Sequence, residues 1–301
     1  MKNILASLLL FVFLSASAQE EDWKSLLAQG DSAKHEKTRA TFKTTRIINA
    51  QSVETVKAKT LDFRISHRFG IMGNGAHTLY GFDVSSDIRL AFEYGINDKL
   101  TLGIARCKRK ENIQALVKYR VLQQTPDNHM PVSLTWYSDM TFTPEKDIDG
   151  NYDAALYSPY NAFAHRMTYV HQAIIARKFS PGISLELLPT VVHRNFVKDP
   201  GDENTLFALG AGGRFKLSRR SAIIFDYFHA FSAFRKNNTT TLYSPPLGLG
   251  WEVETGGHVF SIMFSNSAGL AESDFITSTT DSWLDGGFRF SFNISRGFLL
   301  R

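Results

Sequence analysis

Charged side chains recur at every second position in several segments: Asp62, Arg64 and Arg68; Asp87, Arg89 and Glu93; Lys118 and Arg120; Arg214 and Lys216; Glu252 and Glu254. Glu186 and Arg289 hold the same register in neighbouring segments. A spacing of two puts side chains on one face of a β-strand. Rows of both signs around a common interior set a transverse field, which selects solutes by charge as charged rings do in channels. Opposite signs on adjacent strands, such as Arg64 and Arg68 beside Asp87 and Glu93, can also pair across the ladder. A narrow lumen cross-linked in that way would pass nothing. Both uses fit these residues.

Other residue types carry less. His67, His171, His193 and His229 fall on or near the opposite, apolar register, where an ionisable group is costly. A lipid-acting hydrolase could use an outward histidine, but Ser66 and Ser184 lie on the other face and the sequence has no Gly-x-Ser-x-Gly elbow. The favoured reading seats these histidines at the membrane interface beside aromatic residues, donating to headgroups. The single cysteine, Cys107, excludes an internal disulfide and a Cys-based zinc site. No catalytic residue, cofactor or metal ligand is expected. Tyr94, Tyr119, Trp136, Tyr169, Tyr227, Trp251 and Phe298 suit an interfacial girdle, and Tyr152, Tyr157, Tyr160 and Tyr243 in loops could stack on sugars. Gly210 and Gly212 leave gaps on the charged face against which a loop or terminal segment could lean, or mark a bend that closes the wall.

The elements that position these residues are strands. In LDFRISHRF, Leu61, Phe63, Ile65, His67 and Phe69 share one face, while Asp62, Arg64, Ser66 and Arg68 share the other. SDIRLAFEY, LGLGWEVET and FRFSFNI alternate as cleanly. The pattern predicts twelve strands near 61–70, 86–95, 99–107, 112–122, 131–141, 163–178, 182–194, 205–217, 221–231, 247–255, 257–265 and 286–297, with weak face assignment at 163–178. Tight turns at 96–98, 180–181, 218–220 and 256 alternate with long polar gaps at 71–85, 143–161, 195–204, 232–246 and 266–285. Short turns on one side and long loops on the other describe an all-β, antiparallel, up-and-down transmembrane barrel with periplasmic turns and extracellular loops. The gaps at 108–111 and 123–130 fit least well. Segment 41–48 would be a thirteenth strand, so it lies outside the wall or a fourteen-stranded barrel is the alternative. A secreted β-sandwich would explain the alternation but not the alternating gap lengths.

The ends and the composition agree. Lys2, the apolar run Ile4 to Leu14 and Ala16-Ser17-Ala18 read as a cleaved signal peptide over 1–18. Residues 19–60 read as a periplasmic segment, with a helical turn at Trp23, Leu26 and Leu27 and a stretch at 49–60 that could enter the lumen; 61–301 form the barrel. Phe numbers 24 and Gly 21 in 301 residues, a mix that suits pleated strands. No apolar run long enough for a membrane helix follows the N-terminus. The net charge of +5 is scattered, which argues against nucleic-acid binding. The expected partners are outer-membrane lipids, small solutes and the barrel-assembly machinery, whose terminal signal the aromatic last strand ending near Phe298 resembles. That signal is imperfect, because Leu299, Leu300 and Arg301 follow.

LDFRISHRFG, YVHQAIIARKF, LLPTVVHRN, FALGAGGRFKLSRR, ETGGHVF and FNISRGF together resemble an uncharacterised, domain-of-unknown-function family of Gram-negative outer-membrane β-barrels, over roughly residues 40–298. The resemblance implies a barrel and an outer-membrane address, and it brings no substrate, cofactor or site residue. The leading expectation is a porin-like passive channel for small hydrophilic solutes or ions. The alternatives are a non-conducting structural barrel that binds through its loops, or a lipid-acting enzyme.

Overall fold

The computed structural model describes residues 36–144 and 162–300. The expected signal peptide, the helical turn at Trp23, and Tyr152, Tyr157 and Tyr160 lie outside them. Twelve strands form the wall: β1 (Thr60–Ile71), β2 (Ser85–Gly95), β3 (Leu100–Cys107), β4 (Ile113–Leu122), β5 (Ser133–Phe142), β6 (Met167–Ser180), β7 (Ile183–Arg194), β8 (Thr205–Lys216), β9 (Ser221–Phe231), β10 (Leu247–Thr255), β11 (His258–Ser265) and β12 (Arg289–Leu299). Each pairs antiparallel with its sequence neighbours, and β1 pairs with β12 to close the barrel. Closure leaves no free sheet edge, which a lipid environment requires.

The connections sort by length. The links β2–β3, β6–β7, β8–β9 and β10–β11 are tight and share one mouth with the longer 123–132 turn. The opposite mouth carries the short β3–β4 connection and the long ones, including two short helices, α1 (Ala233–Asn237) and α2 (Glu272–Ser278). One face of each strand is buried and the other exposed, as the period of two demands. Exposed Leu102, Ile104, Leu187, Trp136, Trp251 and Phe207 form the apolar outer belt.

The lumen is not simply a hydrated bore. Residues 41–48 join no strand of the wall; with 49–56 they lie inside the barrel, where Phe42, Ile47, Ile48, Asn49, Gln51 and Val53 are all buried. One side of the lumen is apolar, because Val170, Ile174, Leu188, Val192, Ile224 and Phe228 from β6, β7 and β9 pack with Phe42, Ile47, Ile48, Phe275 and Ile276. This explains the poor alternation of β6: its inward Val170 and Ile174 meet an apolar plug, so both its faces are oily.

Gly95 shows how closely the inserted segment passes the wall. A Cβ there would collide with the Lys57 carbonyl oxygen and approach that of Val56 at 2.6 Å. A side chain at this position must push the segment off its seat. Overpacking of this kind costs about 1–3 kcal/mol, so Gly95→Val should lower the thermal midpoint of the folded barrel, read as loss of the compact band on a heated gel series. An unchanged midpoint would mean that residues 56–57 do not rest there.

Candidate functional site: the closed lumen

Residues 38–59 enter and leave by the same mouth. Thr38 donates its N–H to Gln124 O at 2.8 Å, and Gln123 Nε2 donates to Thr38 O at 2.9 Å, both at the 123–132 turn. On the return limb Thr55 Oγ1 donates to Asp98 O at 2.8 Å, and Lys59 N–H donates to Gly95 O. Between these anchors the chain folds as an irregular hairpin: Ser52 N–H donates to Thr45 O, Arg46 bridges Gln51, and Ile47 N–H donates to Ala50 O at the tip. Such a U-shaped insertion can withdraw without unthreading an end.

The wall's charged groups grip this hairpin. Lys118 Nζ donates to the carbonyls of Thr45 (2.6 Å), Ser52 (3.0 Å) and Glu54 (3.3 Å), so one buried ammonium ties both limbs. Arg64 donates to Thr45 Oγ1 at 3.0 Å and reaches Asp62 only at 3.5 Å, while Arg120 pairs with Glu54 at 3.2 Å. Asp226 accepts from the backbone N–H groups of Asn49 and Ala50 and from Asn49 Nδ2. Gly248 and Gly212 make room for the tip, because added Cβ atoms would meet Ile48 and Ile47 at 2.8 Å. Gly210 is filled instead by the ring of Phe228.

A second segment descends from the opposite mouth. Within 266–288, Leu270, Phe275 and Ile276 turn inward with α2. Glu272 is fully buried and accepts from Arg46 Nη2 and Gln51 Nε2 of the hairpin and from Gln114 Nε2 of β4. The two inserts therefore meet on one carboxylate. Arg109 and Lys110, on the short β3–β4 connection, both pair with Asp274 at 2.8 and 2.7 Å and hold the helix down.

The expected inward charges lie on the register that faces the inserts, apart from Lys216, which is exposed at the mouth, and they do not form a ring around an open bore. Arg68 and Asp87 are opposed across the β1–β2 ladder, yet the anticipated pairing of Arg64 and Arg68 with Asp87 and Glu93 is replaced by contacts to the inserts. Arg68 donates to Ser267 O, Gly269 O, Asn49 Oδ1 and Ser291 Oγ. Asp87 accepts from the N–H groups of Arg109 and Leu270. Arg89 donates to Gln114, Glu93 and Glu186 are buried on the lumen face beneath the inserts, and Arg289 pairs with Asp281 at 2.7 Å. Near the tight-turn mouth Arg214 pairs with Glu252 at 2.8 Å, and Lys43 pairs with Glu254 at 2.7 Å, while Lys216 is exposed.

Five residues central to this arrangement escaped the sequence reading: Gln114, Asp226, Glu272, Asp274 and Asp139, which accepts from Gln114 Nε2 and the Tyr137 hydroxyl. Extending the inward register through IIFDYFH and TWYSDMTF would have found Asp226 and Asp139. Leu270, Phe275 and Ile276 were the signal for the descending segment, since apolar residues suit a surface loop poorly.

Three of the outward histidines interact with side chains on the adjacent strands. His171 Nδ1 and Ser138 Oγ lie 2.8 Å apart, as do His193 Nδ1 and Thr205 Oγ1, and His67 stacks on Phe292 at 5.4 Å. Trp136 Nε1 donates to the same Ser138 hydroxyl at 2.9 Å.

At the long-loop mouth Asp202 lies between Arg194 (3.0 Å) and Arg235 (2.6 Å). Burial pushes its carboxyl up, but hydrogen bonds and charge from the two arginines outweigh that and hold it below the usual aspartate range. With a folded value beneath the unfolded one of about 3.9, the clamp is at full strength above that pH and is lost as pH falls through the folded value. Protection of 199–204 and 233–237 against hydrogen exchange, taken relative to the intrinsic rate at each pH, should therefore fall below about pH 4, and Asp202→Asn should show the reduced protection already at pH 7. Equal protection of both proteins at pH 7 would refute the clamp.

The closed wall and its inserts can be set beside known proteins. A family described as a membrane bound beta barrel domain (DUF5777) matches residues 42–298. The chain belongs to this family. The DUF5777 match begins within the inserted hairpin and ends in β12, so plug and wall fall in one unit. No curated protein matches the chain. Among solved structures, the NanC porin is similar at 9% identity and TM-score 0.46, covering 80% of this chain and 100% of its own. The KdgM porin, solved in complex with disordered oligogalacturonate, is similar at 6% identity and TM-score 0.44, covering 80% and 99%. Omp33 of Acinetobacter baumannii is similar at 9% identity and TM-score 0.38, covering 83% and 100%.

Proposed function

We propose that this membrane barrel sits in the outer membrane and passes small hydrophilic solutes or ions, held shut at rest by its own hairpin and by the descending α2 segment. The observation that carries the reading is the polar seat of the hairpin. Lys118, Arg64, Arg120 and Asp226 hold its backbone and side chains by hydrogen bonds, and each such bond is worth only about 0.5–3 kcal/mol net, since water can replace it. The polar side of the seat can hydrate once the plug leaves, whereas baring Val170, Ile174, Leu188, Val192, Ile224 and Phe228 on the other side opposes opening and keeps the barrel shut at rest. The outer-membrane address is supported by the leader-like first 18 residues and by the alternating short and long connections. The aromatic last strand supports insertion by the barrel-assembly machinery.

The test is single-channel recording of the intact protein beside a variant in which residues 45–53 are replaced by a Gly/Ser linker. The intact barrel should stay closed for most of the record and the variant should conduct steadily. A second reading, a non-conducting scaffold, is favoured by the burial of both inserts on Glu272. It would be adopted if the linker variant folds but stays silent.

A further inference from the structure

Between β9 and β10 the wall is notched. β9 pairs with β8 as far as Phe231↔Phe207, but its pairing with β10 ends at Tyr227↔Leu247. Above that point the 232–246 loop stands where β10 would continue. A cavity of about 490 Å³ occupies the notch, within the range of roughly 300–1,000 Å³ typical of small-molecule sites. Its lining crosses the wall. His229 and Phe231 come from the lipid-facing side of β9, and Ile276 comes from α2 inside the barrel.

The chemistry of the lining selects a ligand class. Phe231, Tyr243 and Ile276 offer an apolar trough, and the two charged side chains present are Arg235 and Lys236, with no carboxylate among the described lining residues. Arg235 is 8% exposed, its guanidinium carbon lies 4.8 Å from the Tyr243 ring centre, and its Nε has no hydrogen-bond partner among the described residues. Asp202, shared with Arg194, and Glu203 at 3.8 Å balance the Arg235 charge, so Lys236 leaves the rim net positive.

We infer that this notch is a lateral binding site for an acyl chain bearing an anionic headgroup, entered from the outer belt of the barrel. The tail lies along Phe231, Tyr243 and Ile276, and the head meets Lys236 and the edge of Arg235. The site stands whether or not the lumen conducts.

The test uses the full protein in phosphatidylcholine nanodiscs with 11-(dansylamino)undecanoate as the probe. Saturable emission above that of empty discs is expected. Dodecanoate should displace the probe and dodecyltrimethylammonium should not. Lys236→Ala, at an exposed position, should weaken the carboxylate at least five-fold, and Ala233→Trp should fill the cavity and abolish binding, with folding of both checked by the heated gel. Displacement by phosphatidylglycerol in the disc would identify a lipid headgroup as the source; its failure, with dodecanoate effective, would identify a free acid. Emission no greater than in empty discs, or equal probe affinity in the wild type and Lys236→Ala, overturns the proposal.

Discussion

Reversing Glu272 to arginine should turn a mostly closed barrel into one that opens often, and adding Arg46→Glu should close it again in large part. The side chains of Arg46 and Glu272 are 1% and 0% exposed. Removing one member of a buried pair leaves an uncompensated charge, at a cost of about 3–5 kcal/mol. Because the pair joins the hairpin to α2 rather than to the wall, that cost falls on the closed state and not on the β-ladder. At about 1.4 kcal/mol per decade, the closed-to-open ratio should drop roughly a hundred- to a few-thousand-fold. The double reversal restores opposite charges, and a cycle over the four proteins isolates their coupling. Recovery will be incomplete, since Gln114 donates to Glu272 and Arg46 also donates to Asn49 O. Four folded proteins with identical open times would show that the junction does not close the lumen.

Replacing residues 45–53 by a flexible linker should have the larger effect, with steady conduction in place of rare openings. A twelve-stranded cylinder lies between eight-stranded barrels filled by side chains and sixteen-stranded porins with an aqueous channel. Its bore is therefore closed here by inserted chain as much as by the wall. Once the hairpin tip is gone, Lys118 loses the carbonyls of Thr45 and Ser52, keeps at most that of Glu54, and becomes a cation open to the lumen. Ion preference in that variant should shift towards cations on Lys118→Gln, read as the reversal potential across a salt gradient. The same substitution in the intact protein removes a clamp, so there it should change opening frequency first.

The wall was legible because it obeys one local rule. A strand between lipid and a polar interior must alternate, and LDFRISHRF, SDIRLAFEY and FRFSFNI do, which put β1, β2 and β12 within a few residues of their observed bounds. Connection lengths then separated the two mouths. The inserts were less legible because a hairpin whose few apolar residues are scattered among polar ones has the composition of a solvated tail. Nothing in TFKTTRIINAQSV shows that Thr45 meets Lys118 or that Asn49 meets Asp226, since those partners are fixed by register on distant strands. The inward charges were found by their spacing, but the contacts they make depend on what fills the space between them. The weak pattern of β6 was itself a clue, because a strand oily on both faces needs an apolar neighbour inside as well as lipid outside.

The central claim, that the hairpin sits inside the barrel and closes it at rest, is tested most directly by thiol accessibility at Ser52. Its side chain is fully buried between the hairpin limbs, and cysteine is nearly isosteric with serine. In a Cys107→Ser background, Ser52→Cys reconstituted in liposomes should resist a hydrophilic maleimide and label fully only after denaturation, while Lys57→Cys at the exposed exit should label at once. Equal labelling rates at the two positions in the folded protein would contradict the account.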